Sequence, residues 1–305
     1  MTLIIGRKSG NQILLVSDTL LTPLVDQALS FQRLTNCQVK LQIINGNVVV
    51  GGAGTDARIA DAMQQLRHEL LVERPHGKSD VQIVRECLEL HQQDSFNSST
   101  QDWDVDFIGA VADASSLMVF RYGKCRPTDR GYVGDQPAYN WYEKLRTSTP
   151  KSKYPNSTME QRAISSATDA FSSVIENPDF PGVGGFPVRV SIENGKFNYL
   201  SHASIFVNKM DASKMIPNGD GTFTMAFGNR EDGDYGLEFI ADNESYIPAV
   251  YFFHGRFGII FPPSDSGTME GQVSPKEITP RQFESWCESE YDAIIRSFHR
   301  GKESE

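Results

Sequence analysis

No run of the ~20 apolar residues needed to cross a bilayer occurs in these 305 residues. The N-terminus, Met1-Thr2-Leu3-Ile4-Ile5-Gly6-Arg7, lacks the basic and long apolar regions of a secretory leader. Both absences predict a cytoplasmic protein with no membrane partner. The four cysteines, Cys37, Cys87, Cys125 and Cys287, contain no CxxC pair, which argues against a disulfide framework or zinc site and for buried thiols. The six histidines, His68, His76, His91, His202, His254 and His299, show no metal-ligand spacing. Lysine and arginine form no run, and the formal net charge is −10, so the chain repels phosphate backbones and nucleic acid is not an expected partner. A Gly-rich phosphate loop followed by Lys-Ser/Thr is missing too. No metal, nucleotide or organic cofactor is therefore expected. Internal repeats and low-complexity tracts are also lacking.

What is present is ordinary for a globular chain: 39% hydrophobic and 22% charged residues. The length sits near the limit of a single core, which predicts one large domain or one domain with an appendage. Leu3-Ile4-Ile5 and Ile13 to Ser17 read as strands around the turn Ser9-Gly10-Asn11. Val39 to Ile44 and Val48 to Val50 flank Asn45-Gly46, a hairpin signal because both residues tolerate φ > 0. Two helices follow. The first carries Ile59, Met63, Leu66 and Leu70 on one face, and the second opens at Ser79 with Gln82 completing a capping box. Strands come next at Asp106 to Ala112, Leu117 to Tyr122 and Gly131 to Val133. A second helix pair is predicted, one member capped by Asp135 and the other opening at Ser157 with Glu160. Strands return at Pro187 to Ile192 and Phe197 to Leu200 around Asn194-Gly195. Runs of strands alternating with helix pairs predict an α+β fold with two stacked sheets and helices on both outer sides, rather than a doubly wound parallel sheet. Past residue 201 the sequence predicts strands at Phe223 to Phe227, Tyr235 to Ala241 and Pro248 to Phe261. A terminal helix is predicted from Thr279-Pro280 to about His299.

Four local features fall in a specific order. Thr2 follows a methionine of the kind that aminopeptidase removes. Ser17-Asp18-Thr19-Leu20-Leu21-Thr22 closes the second strand, Lys40-Leu41 opens the third, and Gly51-Gly52-Ala53-Gly54-Thr55-Asp56 joins the fourth to a helix. This set resembles the N-terminal quarter of proteasome β subunits and their bacterial peptidase-ring relatives, which are N-terminal nucleophile (Ntn) hydrolases. Those carry a mature N-terminal Thr, an A-D-x-R-x-T stretch, a Lys-Ile or Lys-Val, and an A-G-x-x-x-D turn. The resemblance extends to about residue 200. It implies a four-layer αββα sandwich over residues 1–200, with residues 201–305 as a β-rich extension ending in a helix.

The resemblance also implies roles. Thr2 would be the nucleophile of a threonine peptidase or amidase, its α-amine acting as base. A hydroxyl needs such help, and an α-amine has a reference pKa near ~8. Lys40 would tune the nucleophile and Asp18 would pair with it, since an unpaired buried charge is costly. Gly54 would supply an oxyanion donor. Thr22 would bind the substrate backbone as an edge strand does, and Gly52 would line the specificity pocket, leaving room for a bulky group. The family serines that bind the Thr amine are missing: Gly-Ser-Gly reads Gly134-Asp135-Gln136, and the later Asp-x-x-Ser-Gly-Gly reads Asp179 to Gly185. Asp179 matches the family Asp with one extra residue following. Asp135 either replaces a serine or only caps its helix. The segment Pro23 to Asn36 is about six residues longer than its family counterpart and would lie over the cleft. Three functions follow: an active hydrolase of a polypeptide or amide, an inactive scaffold, or an acyl-transferase or ligase using the same acyl-enzyme. The family form is a ring, so a homo-oligomer is expected, with a monomer as alternative. An ATPase unfoldase is a partner the family suggests, although no docking motif is readable.

Overall fold

The computed structural model describes residues 2–20, 37–98, 100–148, 158–205, 215–217, 223–225, 236–253 and 256–296. The chain is a mixed α/β protein with several antiparallel sheets that divides into two compact units. The first holds the described residues of 2–20, 37–200 and 263–270, and the second those of 201–262 and 271–296. Residues 263–270 thus group with the first unit, not with the second.

In chain order the first unit begins with β1 (Leu3–Ser9), β2 (Gln12–Ser17), β3 (Leu41–Asn45), β4 (Val48–Gly54) and α1 (Asp56–Arg67). A π-helical turn, His68–Val72, extends α1, and α2 (Asp80–Asp94) follows. Next come β5 (Phe96–Asn97), β6 (Asp102–Trp103), β7 (Val105–Val111), β8 (Ser116–Arg121), β9 (Lys124–Pro127) and β10 (Arg130–Gly134). The unit's remaining elements are α3 (Gln136–Ser148), α4 (Met159–Ile175), β11 (Val188–Glu193) and β12 (Lys196–Tyr199). One antiparallel sheet has the order β10-β1-β2-β11-β12 and the other β3-β4-β7-β8-β9, while β5 and β6 pair separately.

Each large sheet carries one helix pair. Leu3, Ile5, Leu14 and Val16 pack against Ala138, Tyr142, Ala167, Phe171 and Val174 of α3 and α4. Val48, Val50, Phe107, Met118 and Phe120 pack against Met63, Leu66, Val84 and Leu88 of α1 and α2. The opposite faces meet each other: a Cβ on Gly6 would press on Ile108 and Leu117, and one on Gly51 would press on Ile4. Both faces of the central strands are therefore buried, which is why they read as continuous apolar runs rather than alternating ones. Tyr199 ties β12 to β3, its phenol donating to the Leu41 carbonyl at 2.8 Å and accepting from Ile43 N–H at 3.3 Å. Complete burial pushes that phenol up from its ordinary pKa.

Local signals act largely as their chemistry requires. Ser79 and Gln82 form the capping box of α2, and Asp135 caps α3, its Oδ1 accepting from Ala138 N–H at 2.8 Å. Asn194 and Gly195 both take positive φ between β11 and β12. The Asn45-Gly46 hairpin forms differently. Neither residue lies in the left-handed region; instead β3 shifts register between Ile43 and Asn45, and the Asn45 side chain accepts from Asn47 N–H at 2.9 Å. Ser157, the predicted cap of α4, lies outside the described residues.

The second unit contains β13 (His202–Ile205), the short pair β14 (Met215–Pro217) and β15 (Phe223–Met225), β16 (Gly236–Asp242), β17 (Ile247–Phe252), β18 (Phe257–Ile260), β19 (Gln272–Val273) and α5 (Pro280–Tyr291). Its larger sheet has the order β13-β16-β17-β18-β19 and packs Tyr251 and Ile260 with Phe283 and Cys287 of α5. The long strand predicted over Pro248 to Phe261 is two strands. The helix that opens at Thr279 with its predicted capping box stops at Tyr291, where Asp292 turns left-handed at φ 53°, well short of His299. No described helix is long and apolar enough to cross a membrane.

Candidate active site

The start of β1 is held from both sides. On one side, Asp135 N–H donates to the Thr2 carbonyl at 2.8 Å. Gly134 makes that approach feasible: its φ is 95°, and a Cβ there would overlap the Thr2 carbonyl. On the other side, Leu3 N–H donates to Asp18 Oδ1 at 3.0 Å, and Asp18 N–H returns a bond to the Leu3 carbonyl at 3.3 Å. The residue bearing the candidate nucleophile therefore has its backbone fixed before any substrate arrives.

Asp18 is also the partner of Lys40. Lys40 Nζ donates to Asp18 Oδ2 at 2.8 Å and to the Leu20 carbonyl at 2.7 Å. The pair is withdrawn from water, with side-chain exposures of 7% for Lys40 and 0% for Asp18. Burial pushes the Asp18 carboxyl above its ordinary range. The Lys40 charge and the N–H groups of Lys40, Leu3 and Gly184 oppose that push. We assign the ionised form at neutral pH, because two backbone N–H groups and an ammonium converge on this one carboxylate. Gly184 N–H contacts Asp18 Oδ2 at 3.4 Å, and the Gly184 carbonyl accepts from Thr19 and Leu20. Thr19 Oγ1 both donates to the Phe186 carbonyl and accepts from Phe186 N–H, so the loop after α4 buttresses the carboxylate.

Thr2 and Lys40 line one cavity of about 740 Å³, together with Leu20, Ala53, Gly54 and Asp135. Its lining is also acidic: Asp56 at the start of α1, then Asp102, Asp104 and Asp106 around Trp103 and Val105. Arg121 binds Asp106 at 2.7 Å, and burial there pushes the Asp106 carboxyl up against the pull of Arg121. Arg58 reaches Asp104 at 3.7 Å. Gly54 sits at the rim with φ 133°, where a Cβ would overlap the Asp104 carbonyl.

Of the residues singled out in the sequence, Thr2, Lys40, Gly54 and Asp135 converge on this cavity, with Asp18 directly behind Lys40. Asp179 does not: it is exposed in the turn after α4, its N–H held by Asn177 Oδ1 at 3.0 Å. Gly52 does not line the cavity either. A Cβ on it would press into Ile59 at 2.8 Å, so the space beside it is filled from α1. Val48, Val50 and Gly52 lie on the helix side, and Ala53 and Gly54 are the β4 residues that line the cavity. Thr22 and the segment Pro23 to Asn36 lie outside the described residues. From the sequence, Asp102, Asp104 and Asp106 have no role at the site, and Asp56 is named only as the end of the glycine-rich turn. The acid-every-second-residue pattern of Asp102, Asp104 and Asp106 was the available signal, since period two places them on one side of an extended chain.

Cys37 lies close enough to feel the Lys40 charge, yet burial pushes its thiol up to about 12, which rules it out as the nucleophile at neutral pH. Among the described residues no group of three or more His, Cys, Asp or Glu is placed to hold a metal ion.

No protein-family model matches the chain, and no curated protein matches it. Among solved structures it is similar to the eukaryotic HslV from Trypanosoma brucei, with 15% identity and a TM-score of 0.43, covering 63% of this chain and 100% of that one.

Proposed function

We propose that the chain is an Ntn hydrolase with a four-layer αββα core, and that Thr2, freed of Met1, cleaves a peptide or amide bond. The observation that carries this reading is the buried Lys40–Asp18 pair at 2.8 Å, whose lysine lines the same cavity as Thr2 and whose aspartate also holds the Leu3 amide. A buried ion pair is weak evidence for stability, because a well-packed apolar pair serves as well. In a cavity that a hydroxyl also lines, it has a chemical use.

The Thr2 hydroxyl attacks the carbonyl carbon of the substrate, and its proton passes to the Thr2 α-amine, directly or through one water. The Lys40 ammonium favours the oxygen nucleophile as negative charge develops on it. Asp18 keeps that ammonium in place. The tetrahedral oxyanion is held at the Gly54 turn, an interaction typically worth ~3–4 kcal/mol per donor. Collapse breaks the C–N bond, the α-ammonium returns its proton to the leaving amine, and an ester on Thr2 remains. Water then attacks the ester and restores the hydroxyl. Thr22 stays in the proposal as a substrate-backbone contact. Gly52 and Asp179 drop out on the geometry above. A homo-oligomer is part of the same proposal.

An inactive scaffold is the second reading. It is favoured by the missing serines and by the use of Asp135 Oδ1 as a helix cap. Intact-mass spectrometry after exposure to a β-lactone or epoxyketone separates the two. Loss of Met1 with one covalent adduct on Thr2, absent in Thr2→Ala, supports the hydrolase. Retained Met1 in protein from its native host overturns it, because a blocked amine cannot take the proton.

A further inference from the structure

At the opposite end of β1 from Thr2 lies a second cavity, of about 400 Å³, between the helix-facing side of the sheet and the helices α3 and α4. Its lining includes Arg7 and Lys8 of β1, Arg130 of β10 and Arg146 of α3, with apolar surface from Leu14 and Ile164. Three guanidinium groups, those of Arg7, Arg130 and Arg146, come from the helix-facing side in a chain whose net charge is −10; Lys8 alternates to the other face of β1.

Their arrangement is costly as it stands. Arg7 and Arg130 are direct cross-strand partners, and like charges directly opposite in an antiparallel pair repel. Glu143 is the carboxylate available to them, and it is already divided between Arg7 at 2.9 Å and Arg146 at 3.0 Å. Among the described residues neither Lys8 nor Arg130 has a carboxylate within ion-pair distance. The cavity therefore carries an excess of about two positive charges, counting Glu143 against the three arginines. Ser9, Ser166 and Ser191 add hydroxyls to the wall. The Gln12 Oε1 is buried there without a hydrogen-bond partner, and such an orphan acceptor is usually met by water or a ligand.

We propose that this cavity binds a phosphate group carried by a small organic molecule. Forked guanidinium donors on two strands and a helix suit the oxygens of a phosphomonoester. Leu14 and Ile164 accept the apolar part of the ligand, and Gln12 Oε1 accepts a ligand hydroxyl or N–H. The site is independent of the hydrolase reading, since it uses no residue of the first cavity.

Isothermal titration of the full chain with phenyl phosphate, inorganic phosphate and benzoate tests the proposal, with Arg130→Gln and Arg146→Gln as variants. Both arginines are at least partly accessible, so their loss should leave the fold intact, and circular dichroism with thermal melting checks this. The expected result is saturable binding of phenyl phosphate, tighter than inorganic phosphate and weakened about tenfold or more by either substitution. Affinity should fall with added salt as counterions are released. Inorganic phosphate binding as tightly as phenyl phosphate overturns the organic part of the proposal. Benzoate binding as tightly as phenyl phosphate overturns the phosphate assignment. Failure of either phosphate to saturate by millimolar concentration, or affinity unchanged in the folded variants, overturns the site.

Discussion

Asp18→Asn tests the central geometry without any substrate. The carboxylate serves Leu3 N–H at 3.0 Å, Lys40 Nζ at 2.8 Å and Gly184 N–H at 3.4 Å, with no exposure of its side chain. An asparagine is nearly the same shape but has one acceptor and one donor. With its oxygen toward Leu3, its NH₂ faces an ammonium and a backbone N–H; turned round, it abandons Leu3. In the first orientation Lys40, 7% exposed, keeps only the Leu20 carbonyl; in the second it keeps a neutral acceptor as well, and in neither does it keep a counter-charge. Removing one member of a buried pair costs ~3–5 kcal/mol. Discarding the proton sets a similar ceiling, because neutralising an ordinary lysine at pH 7 costs about 4–5 kcal/mol. Urea unfolding followed by hydrogen exchange on β1 and β3 peptides reads this unit separately from the second. Asp18→Asn combined with Lys40→Met should recover most of the loss, since no charge is then stranded. A loss below ~1 kcal/mol for Asp18→Asn alone, the range of exposed pairs, would refute the claim that the pair is dry.

Three further outcomes are expected. Gly134→Ala, at φ 95° and against the Thr2 carbonyl, should cost ~2 kcal/mol or more and release the amides of Leu3 and Asp135 to exchange. Acid should end Thr2 adduct formation at a pH above the ordinary carboxylate value of ~3.9, because burial raises the Asp18 pKa. Here the sign is distinctive. A carboxyl whose folded pKa exceeds its unfolded one binds its proton more tightly when folded, so its protonation does not itself unfold the chain, and reactivity falls while circular dichroism holds. Asp135→Ala should lose about 1 kcal/mol with its cap bond, and Asp135→Ser should keep it, as thermal melting would record. Equal losses for both would mean that the cap contributes little.

The elements of the first unit were legible because their signals are local. The capping box at Ser79 involves residues three apart, and the apolar runs of β1, β2 and β4 are short and bounded by turns. The core of the candidate site was legible for a different reason: Thr2, Asp18 and Lys40 lie within the first 40 residues in a recognisable order. Register was harder. Gly52 and Ala53 are neighbours on β4, and a one-residue error exchanges the helix side for the cavity side. The acidic wall was missed because Asp102 to Asp106 lies more than 60 residues from Lys40, and only the pairing of β4 with β7 brings it near. The turn between β3 and β4 departed from expectation because the Asn45 side chain supplies locally the bond that a left-handed turn would otherwise make.

Asp18 gathers its donors from residues 15, 22 and 166 positions away. Short loops close early in folding and long ones late. A chain still emerging from the ribosome can form the first two bonds, but it has no residue 184 to offer until most of the first unit has been synthesised. The buttress behind the carboxylate thus doubles as a timer: a chain that stops short of Gly184 lacks one of the carboxylate's three donors, and the chemistry proposed for Thr2 waits on it.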